Sequence, residues 1–356
     1  MNGAADKVLV AMSGGVDSSV AAALLKRNGA EVTGVFMCLG SAAAVDAVSS
    51  GCCSPQDAAD ARRVADALGI DLHVVDLSRQ FRGIIADFAL EYARGRTPNP
   101  CIRCNAEIKF GRLVELAESL GAGYVATGHH ARTVTADGRP AIARAAGKDQ
   151  SYALFAVPRG TLGRIVLPVG EIGQKSTVRR IARELGLVVH DKPDSQEICF
   201  ADGDDYSEIL RRWAPQALRS GDIVDSSGRV LGRHEGFGRF TVGQRRGVGV
   251  AAGEPMYVTR IDPASATVTI GPRQELLAKS LSASGANWHQ PVDDEFHATV
   301  QIRYNHTGAP GRVWLTGPET FQVEFDEPVV AVTPGQAVVV YDGHVLLGGG
   351  WIDSPV

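Results

Sequence analysis

Apolar residues in the first half of the chain fall into short runs separated by longer stretches of helical periodicity. Lys7–Ala11 (KVLVA) predicts a short buried strand, and Ser18–Asn28 an Ala/Leu-rich helix. Glu31–Cys38 returns as a strand, Asp57–Leu68 as a helix, Asp71–Leu77 as a strand and Gln80–Arg94 as a helix. Asn105–Leu120 is expected to be helical and Tyr124–Thr127 extended. Strands separated by helices of this length imply βαβ units and a doubly wound parallel sheet, an α/β fold. The stretch from Gly40 to Pro55, rich in Ala, Ser and Gly, is expected to be a mobile loop.

Helical spacing continues through Thr177–Leu185 and Tyr206–Trp213, and then the pattern changes. From about Gly221, short alternating runs such as Thr267–Ile270, Ala298–Ile302 and Ala337–Val340 are punctuated by Asp225-Ser226-Ser227-Gly228, Asp262-Pro263 and Tyr341-Asp342-Gly343. That is β-rich chain with hairpin turns. At roughly 150 residues per domain, 356 residues make two or three domains. Boundaries near 205 and 277 divide the chain into 1–205, a small middle part 206–277, and 278–356.

Composition adds exclusions. With 44% hydrophobic and 21% charged residues the chain is not mainly disordered. No apolar run approaches the roughly 18 residues of a membrane-spanning helix, and the first residues do not form a secretory signal. A cytoplasmic protein without a membrane partner is expected. The net charge of −4 leaves nucleic acid open, because a polyanion needs a local basic face and not a basic total. Six cysteines are too few for a disulfide scaffold, so those that matter are expected to be catalytic or metal-binding.

The sharpest chemical signal is Ser13-Gly14-Gly15-Val16-Asp17-Ser18-Ser19, directly between the first strand and the first helix. Two glycines allow a tight turn that points N–H groups at an anion, the Ser13 and Ser18 hydroxyls add donors, and the helix start adds its positive dipole end. It is neither a Walker A loop nor G-x-G-x-x-G. An SGG-x-DS loop in this position resembles the PP-loop ATP pyrophosphatases, which cut ATP between the α and β phosphates. Ala11, Met12, Ser13, Gly14, Gly15, Val16, Asp17 and Ser18 are the expected ATP contacts, with Mg2+ accompanying the nucleotide. Met37 and Gly128 join them because both fall at the carboxyl edge of the sheet, where open α/β folds bind nucleotides.

Cys101-Ile102-Arg103-Cys104 follows Thr97-Pro98-Asn99-Pro100, whose prolines stiffen the approach. Cys104, expected near a helix start with Arg103 beside it, is placed to favour the thiolate. A lone C-x-x-C serves redox chemistry, half a zinc site or a cluster equally well. Cys199 lies in Asp194-Ser195-Gln196-Glu197-Ile198-Cys199-Phe200. The phosphate loop, Thr97–Asn105, Ala126-Thr127-Gly128-His129, Lys148-Asp149-Gln150-Ser151-Tyr152, Asp194–Phe200 and Gly243-Gln244-Arg245-Arg246-Gly247 occur in this order, with Leu347–Ile352 near the end. Together they resemble the bacterial tRNA-specific 2-thiouridylases over nearly the whole chain.

The resemblance implies ATP-dependent 2-thiolation of a wobble uridine. The uridine O2 is adenylated, and sulfur from a persulfide on Cys199 replaces AMP. Cys104 is the nucleophile that opens the persulfide, leaving a Cys104–Cys199 disulfide for a reductant. A sulfur-carrier protein or cysteine desulfurase would load Cys199. By the same resemblance His129, Lys148, Asp149, Gln150, Arg303, Tyr304 and Gln336 are tRNA contacts, residues 1–205 are the catalytic domain, and 278–356 are a C-terminal β-barrel that grips tRNA. Arg plus an aromatic is what phosphate contact and base stacking require. Lys175, Arg179, Arg180 and Arg183 on one helix are candidates for a basic face.

Two positions depart from the family. Cys101 stands where many members carry Asp, and His130 where Tyr is usual; His130 is expected to be an unassigned loop histidine. With Cys101 present, Cys101, Cys104 and Cys199 form an alternative ligand set for a [4Fe–4S] cluster whose open iron would take hydrosulfide. The persulfide relay is favoured. A PP-loop ligase needing no thiol pair, and an RNA- or cluster-binding module without turnover, are the competing functions.

Overall fold

The computed structural model describes residues 6–40, 55–193, 198–200, 206–250 and 253–356. Most of the loop expected at 40–55, with Cys52 and Cys53, and four residues of the Asp194–Phe200 segment lie outside them. The chain divides into two compact units: Met1–Ile84 with Cys101–Asp202 and His344–Leu346, and Ile85–Pro100 with Gly203–Gly343 and Leu347–Val356.

In the first unit the elements run β1 (Lys7–Ala11), α1 (Val16–Arg27), β2 (Glu31–Cys38), α2 (Pro55–Leu68), β3 (Leu72–Asp76) and the start of α3 (Ser78–Ala93). After α4 (Pro100–Arg103) come a π-helix over Cys104–Arg112, α5 (Leu113–Ser119), β4 (Tyr124–Ala126), β5 (Ala131–Ala136), β6 (Arg139–Arg144), β7 (Ile165–Val166) and α6 (Lys175–Glu184). The sheet order is β3-β2-β1-β4-β7, and every pair is parallel. The doubly wound α/β expectation is met.

The period-2 geometry of a strand explains why β1 is apolar throughout. Val8 and Val10 pack with Val20, Val64, Val178 and Ala182 of α1, α2 and α6. Leu9 and Ala11 point the other way, into Leu113, Val114 and Ala117 of α5. Each such buried side chain contributes about 1.5–3 kcal/mol. Helix α1 ends where Lys26 and Arg27 meet its negative dipole end and Gly29 takes a φ of +86°.

Two local features were not anticipated. The helix carrying the cysteines begins at Pro100 and not at Asn105, because proline at the first helical position loses no hydrogen bond. It then widens into the nine-residue π-helix starting at Cys104. The β5–β6 hairpin turns on Asp137 (φ 47°) and Gly138 (φ 73°), the type I′ geometry that Asp-Gly favours.

The second unit holds α7 (Ser207–Trp213) and β8 (Gly221–Val224), β9 (Val230–His234), β10 (Tyr257–Asp262) and β11 (Thr267–Gly271), in the order β10-β11-β8-β9. It continues with β12 (Leu277–Trp288), β13 (Glu295–Gln301), β14 (Ala309–Gly317), β15 (Thr320–Val330), β16 (Ala337–Asp342) and most of β17 (Val345–Pro355). These six run β12-β15-β14-β13-β16-β17, and β12 pairs with β17 to close a barrel. Closure leaves no strand edge within the ring. Its interior takes alternate residues: Leu281 and Ala283, Phe321, Val323 and Phe325, Val338 and Val340.

The same unit fastens the chain ahead of the cysteines. Thr97 donates its N–H to the Pro334 carbonyl at 2.8 Å and accepts from Gln336 Nε2 at 2.8 Å. Among the described residues no helix is long and apolar enough to cross a membrane.

Phe321 is fully buried, 5.2 Å ring to ring from Trp288. Phe321→Ala should cost about 3–5 kcal/mol of stability in urea unfolding. A loss under about 1 kcal/mol would contradict a closed, filled barrel.

Candidate active site

Beyond β1, Met12 donates its N–H to the Val35 carbonyl at 2.8 Å, and the chain turns through Ser13-Gly14-Gly15 into α1. Gly14 has a φ of +71°, and a Cβ there would collide with the Asp57 carbonyl. Gly128, just past β4, approaches α1 so closely that a Cβ would stand 2.5 Å from the Ser18 nitrogen. Gly15 occupies the N-cap position, and no side chain caps the helix. The loop therefore presents an uncapped helix start with hydroxyls around it, suited to an anion. Ser18 Oγ accepts from the Ser13 N–H at 3.2 Å and lies 3.2 Å from Ser13 Oγ. The Ser19 hydroxyl bonds the Gly15 carbonyl at 2.8 Å.

The side chains of Ala11, Met12 and Val16 are buried in the core, so only their backbone faces a ligand. Met37 is half-buried against the Leu9–Val125 cluster at the end of β2.

Cations fasten this loop. Lys175 Nζ lies 2.6 Å from both oxygens of Asp17. His130 Nε2 is 3.3 Å from Asp17 Oδ2 but not aligned for a hydrogen bond, and its Nδ1 has no partner among the described residues. Burial pushes the Asp17 carboxyl up, but His130 and Lys175 outweigh it and hold it below the usual 3.8. Lys192 Nζ reaches the Gly14 carbonyl at 3.0 Å, Asp57 at 2.5 Å and Asp60 at 2.6 Å. Burial works against its charge, yet the two carboxylates keep Lys192 above its usual value. Asp60, pushed up by burial, is pulled below its usual value by Lys192, Arg63 and Gln56.

These contacts place two residues that the sequence left open. Lys175 faces the phosphate loop and not an RNA surface; on the same helix Arg180 pairs with Glu184 at 2.8 Å, and Arg183 with Asp191 at 2.9 Å. His130 lies in the loop after β4, as expected, and is 1% exposed, packed against Asp17. Lys192 was missed altogether.

His129 is buried beside it, with Nδ1 2.7 Å from Thr127 Oγ1 and its ring 5.9 Å from that of Phe110. Burial first, then the positive Lys109 and the neighbouring His130, hold its imidazole well below the ordinary histidine value. Asp149 organises its own loop, accepting from the Ala145 and Ser151 N–H groups at 3.1 Å each and the Ser151 hydroxyl at 2.8 Å. Gln150 Oε1 accepts the His130 N–H at 2.9 Å. Of these tRNA candidates only Lys148 is exposed. In the second unit Arg303 is half-buried and Tyr304 is exposed, whereas Gln336 is engaged with Thr97.

Among the described residues four cysteines are free thiols: Cys104 buried, Cys101 exposed, Cys38 and Cys199 half-buried. No Cys104–Cys199 disulfide is formed. Nor do three His, Cys, Asp or Glu side chains among the described residues gather into a group that could hold a metal ion. Cys101, Cys104 and Cys199 are thus not arranged as a cluster cradle. Cys104 sits in the second helical turn and not at the start, and Arg103 lies 3.7 Å from Glu107, which shares its charge. Phe200, next to Cys199, is anchored edge-on against Phe81 at 5.6 Å.

Residues 6–203 match the family described as tRNA methyl transferase HUP domain, 207–272 the tRNA methyl transferase PRC-barrel domain, and 278–352 the aminomethyltransferase beta-barrel domain. The chain is 45% identical to tRNA-specific 2-thiouridylase MnmA of Rhodopirellula baltica, covering 98% of this chain and 97% of the relative. It is 47% identical to the protein of that name from Carboxydothermus hydrogenoformans and 40% to that from Clostridioides difficile, each with 98% of both chains covered.

Asp17 and Asp60 each contribute stability that is present above 3.8 and lost as pH falls through their lowered folded values. Lys192→Met should therefore destabilise the protein at neutral pH by about 2 kcal/mol or more. That difference should shrink as pH falls below 3.8 and through the lowered folded value of Asp60, where its carboxyl is protonated in both proteins. Denaturant unfolding across a pH series checks it; a difference constant down to the acid limit would exclude the ion pair as its cause.

Proposed function

The chain belongs to the tRNA-specific 2-thiouridylase family, and on that premise we propose how its residues carry out sulfur transfer. It is a tRNA-uridine 2-sulfurtransferase. ATP enters with its phosphates on the loop from Ser13 to Ser18. The observation that carries this is the pair of glycines, Gly14 and Gly128, at positions where a side chain would collide with backbone. The close backbone packing they permit shapes the turn beside an uncapped helix start, which suits an oxyanion. Mg2+ accompanying the nucleotide would find Asp17, the loop's own carboxylate, once Lys175 yields it.

The uridine O2 attacks the α-phosphorus and pyrophosphate departs, so the base carries AMP as a leaving group. Cys199 holds a persulfide delivered by a sulfur-carrier protein or a cysteine desulfurase. Its terminal sulfur bonds to C2, and AMP leaves with the C2–O electron pair. Cys104 then attacks the Cys199 sulfur; the S–S bond to the base breaks, the base keeps the outer sulfur, and a Cys104–Cys199 disulfide remains. A thiol reductant supplies the two electrons that reopen it. The exposures suit this division: half-buried Cys199 can be reached by a donor protein, and buried Cys104 is shielded from stray oxidants. His129, Lys148, Asp149, Gln150, Arg303, Tyr304 and Gln336 are assigned to the tRNA, with residues 278–356 as the gripping barrel. Asp149, Gln150 and Gln336 act by shaping their segments, given their internal bonds.

The test is nucleoside mass spectrometry after incubating the full chain with ATP, sulfide and unmodified tRNA. 2-Thiouridine, AMP and pyrophosphate should form together, and only with tRNA present. With a persulfide donor in place of sulfide, Cys104→Ser and Cys199→Ser should abolish transfer while Cys101→Ser keeps most of it. ADP as the main product would overturn adenylation, and loss of activity in all three variants would overturn the relay.

A further inference from the structure

The second unit contains a groove of about 520 Å³ where the middle strands meet the barrel, lined among others by Gly243, Tyr257, Arg273, Arg303, His306 and Ala331. Tyr257 opens β10, Arg273 follows β11, and Arg303 and His306 come from the turn after β13. Its floor is a close backbone approach. Gly243 has a φ of +90°, and a Cβ there would stand 3.0 Å from that of Ala331. Ala331 itself has a φ of +59°, a conformation alanine keeps only where its surroundings impose it. They do: its N–H donates to the Leu276 carbonyl at 2.9 Å, and the Thr333 hydroxyl bonds its carbonyl at 3.0 Å.

Among the described residues the arginines on the walls are not paired with carboxylates. Arg303 spends one N–H on the Val330 carbonyl at 3.0 Å, which pins its guanidinium along the wall. Neither Arg303 nor Arg273 pairs with a carboxylate among the described residues, whereas Arg312 on the same barrel is bonded to Glu295 and Glu324. His306 Nδ1 accepts the Ile302 N–H at 3.4 Å, which holds its ring on the turn after β13. Two guanidiniums, an imidazole and a half-buried tyrosine thus share one concave surface.

We propose that this groove holds one unpaired nucleotide of the tRNA, its phosphate between Arg273 and Arg303 and its base against Tyr257. The volume suits a single nucleotide, and guanidinium pairs with an aromatic are how proteins hold single-stranded RNA. The inference rests on the tRNA reading above and extends it to Arg273, Tyr257 and His306.

The full chain, as wild type, Arg273→Ala, Arg273→Lys and Tyr257→Leu, would be titrated with unmodified tRNA by fluorescence anisotropy across a KCl series. Arg273→Ala should weaken binding about tenfold and lower the slope of log K against log salt by about one, while Arg273→Lys keeps the slope. Tyr257→Leu should weaken binding severalfold without changing the slope. Millimolar 5′-AMP, a free nucleotide bearing the same phosphate, should not compete. Arg273→Ala binding within twofold of wild type at an unchanged slope would overturn the groove, and competition by AMP that depends on Arg273 would give it a free nucleotide instead. A wild type that thiolates tRNA while Arg273→Ala matches it removes the groove alone; a wild type that neither binds nor thiolates tRNA removes both readings.

Discussion

At the carboxyl end of β1 three backbones come closer together than any side chain would allow. Gly14 lies against the Asp57 carbonyl, Gly128 lies against the first turn of α1, and the Lys192 side chain bonds the Gly14 carbonyl. The parallel sheet brings β1 and β4 side by side, so their following loops meet at one edge. Apolar burial on both faces of β1 fixes the strand, and the glycines fix the turn that leaves it.

An anion site built this tightly needs its own electrostatic balance. Asp17 within the loop would repel phosphate if it stood alone, and Lys175 and His130 offset it. Asp57 and Asp60 at the start of α2 pose the same problem, and Lys192 answers it while holding the glycine turn. Because these groups are half-buried or buried, their interactions are screened less than surface pairs. The overall charge of −4 says little about any of this.

Local signals in the sequence explain what was legible. The strand–loop–helix of residues 7–27, the alternation of strands and helices, and the change to β-rich chain near Gly221 all follow from spacing and turn chemistry over a few residues. The Lys175 and Lys192 contacts do not, because their partners lie more than a hundred residues away in sequence. The buried place of His130 is likewise set by Asp17, far up the chain. Other features were signalled and overlooked: Asp137-Gly138 is a hairpin turn by composition, and Pro100 is a good first helical residue. The π-helix at Cys104 has no sequence signature comparable to either. It matters because such widened turns recur at functional sites.

The proposed persulfide relay also demands that one thiol be chosen among several. Cys38 closes β2, and burial, then the adjacent Asp76 carboxylate, push its thiol above the ordinary value. A protonated thiol is a poor nucleophile, so its surroundings disfavour Cys38 in exchange. Cys101 and Cys104 share one helix, yet the first faces solvent and the second is buried. Accessibility divides them: in the proposed relay a bulky donor protein meets Cys101 before Cys104, so transfer to Cys199 requires that the donor recognise more than an exposed sulfur. Selectivity in such an enzyme then depends on which surface the donor docks, and the thiols themselves decide only what happens after sulfur arrives.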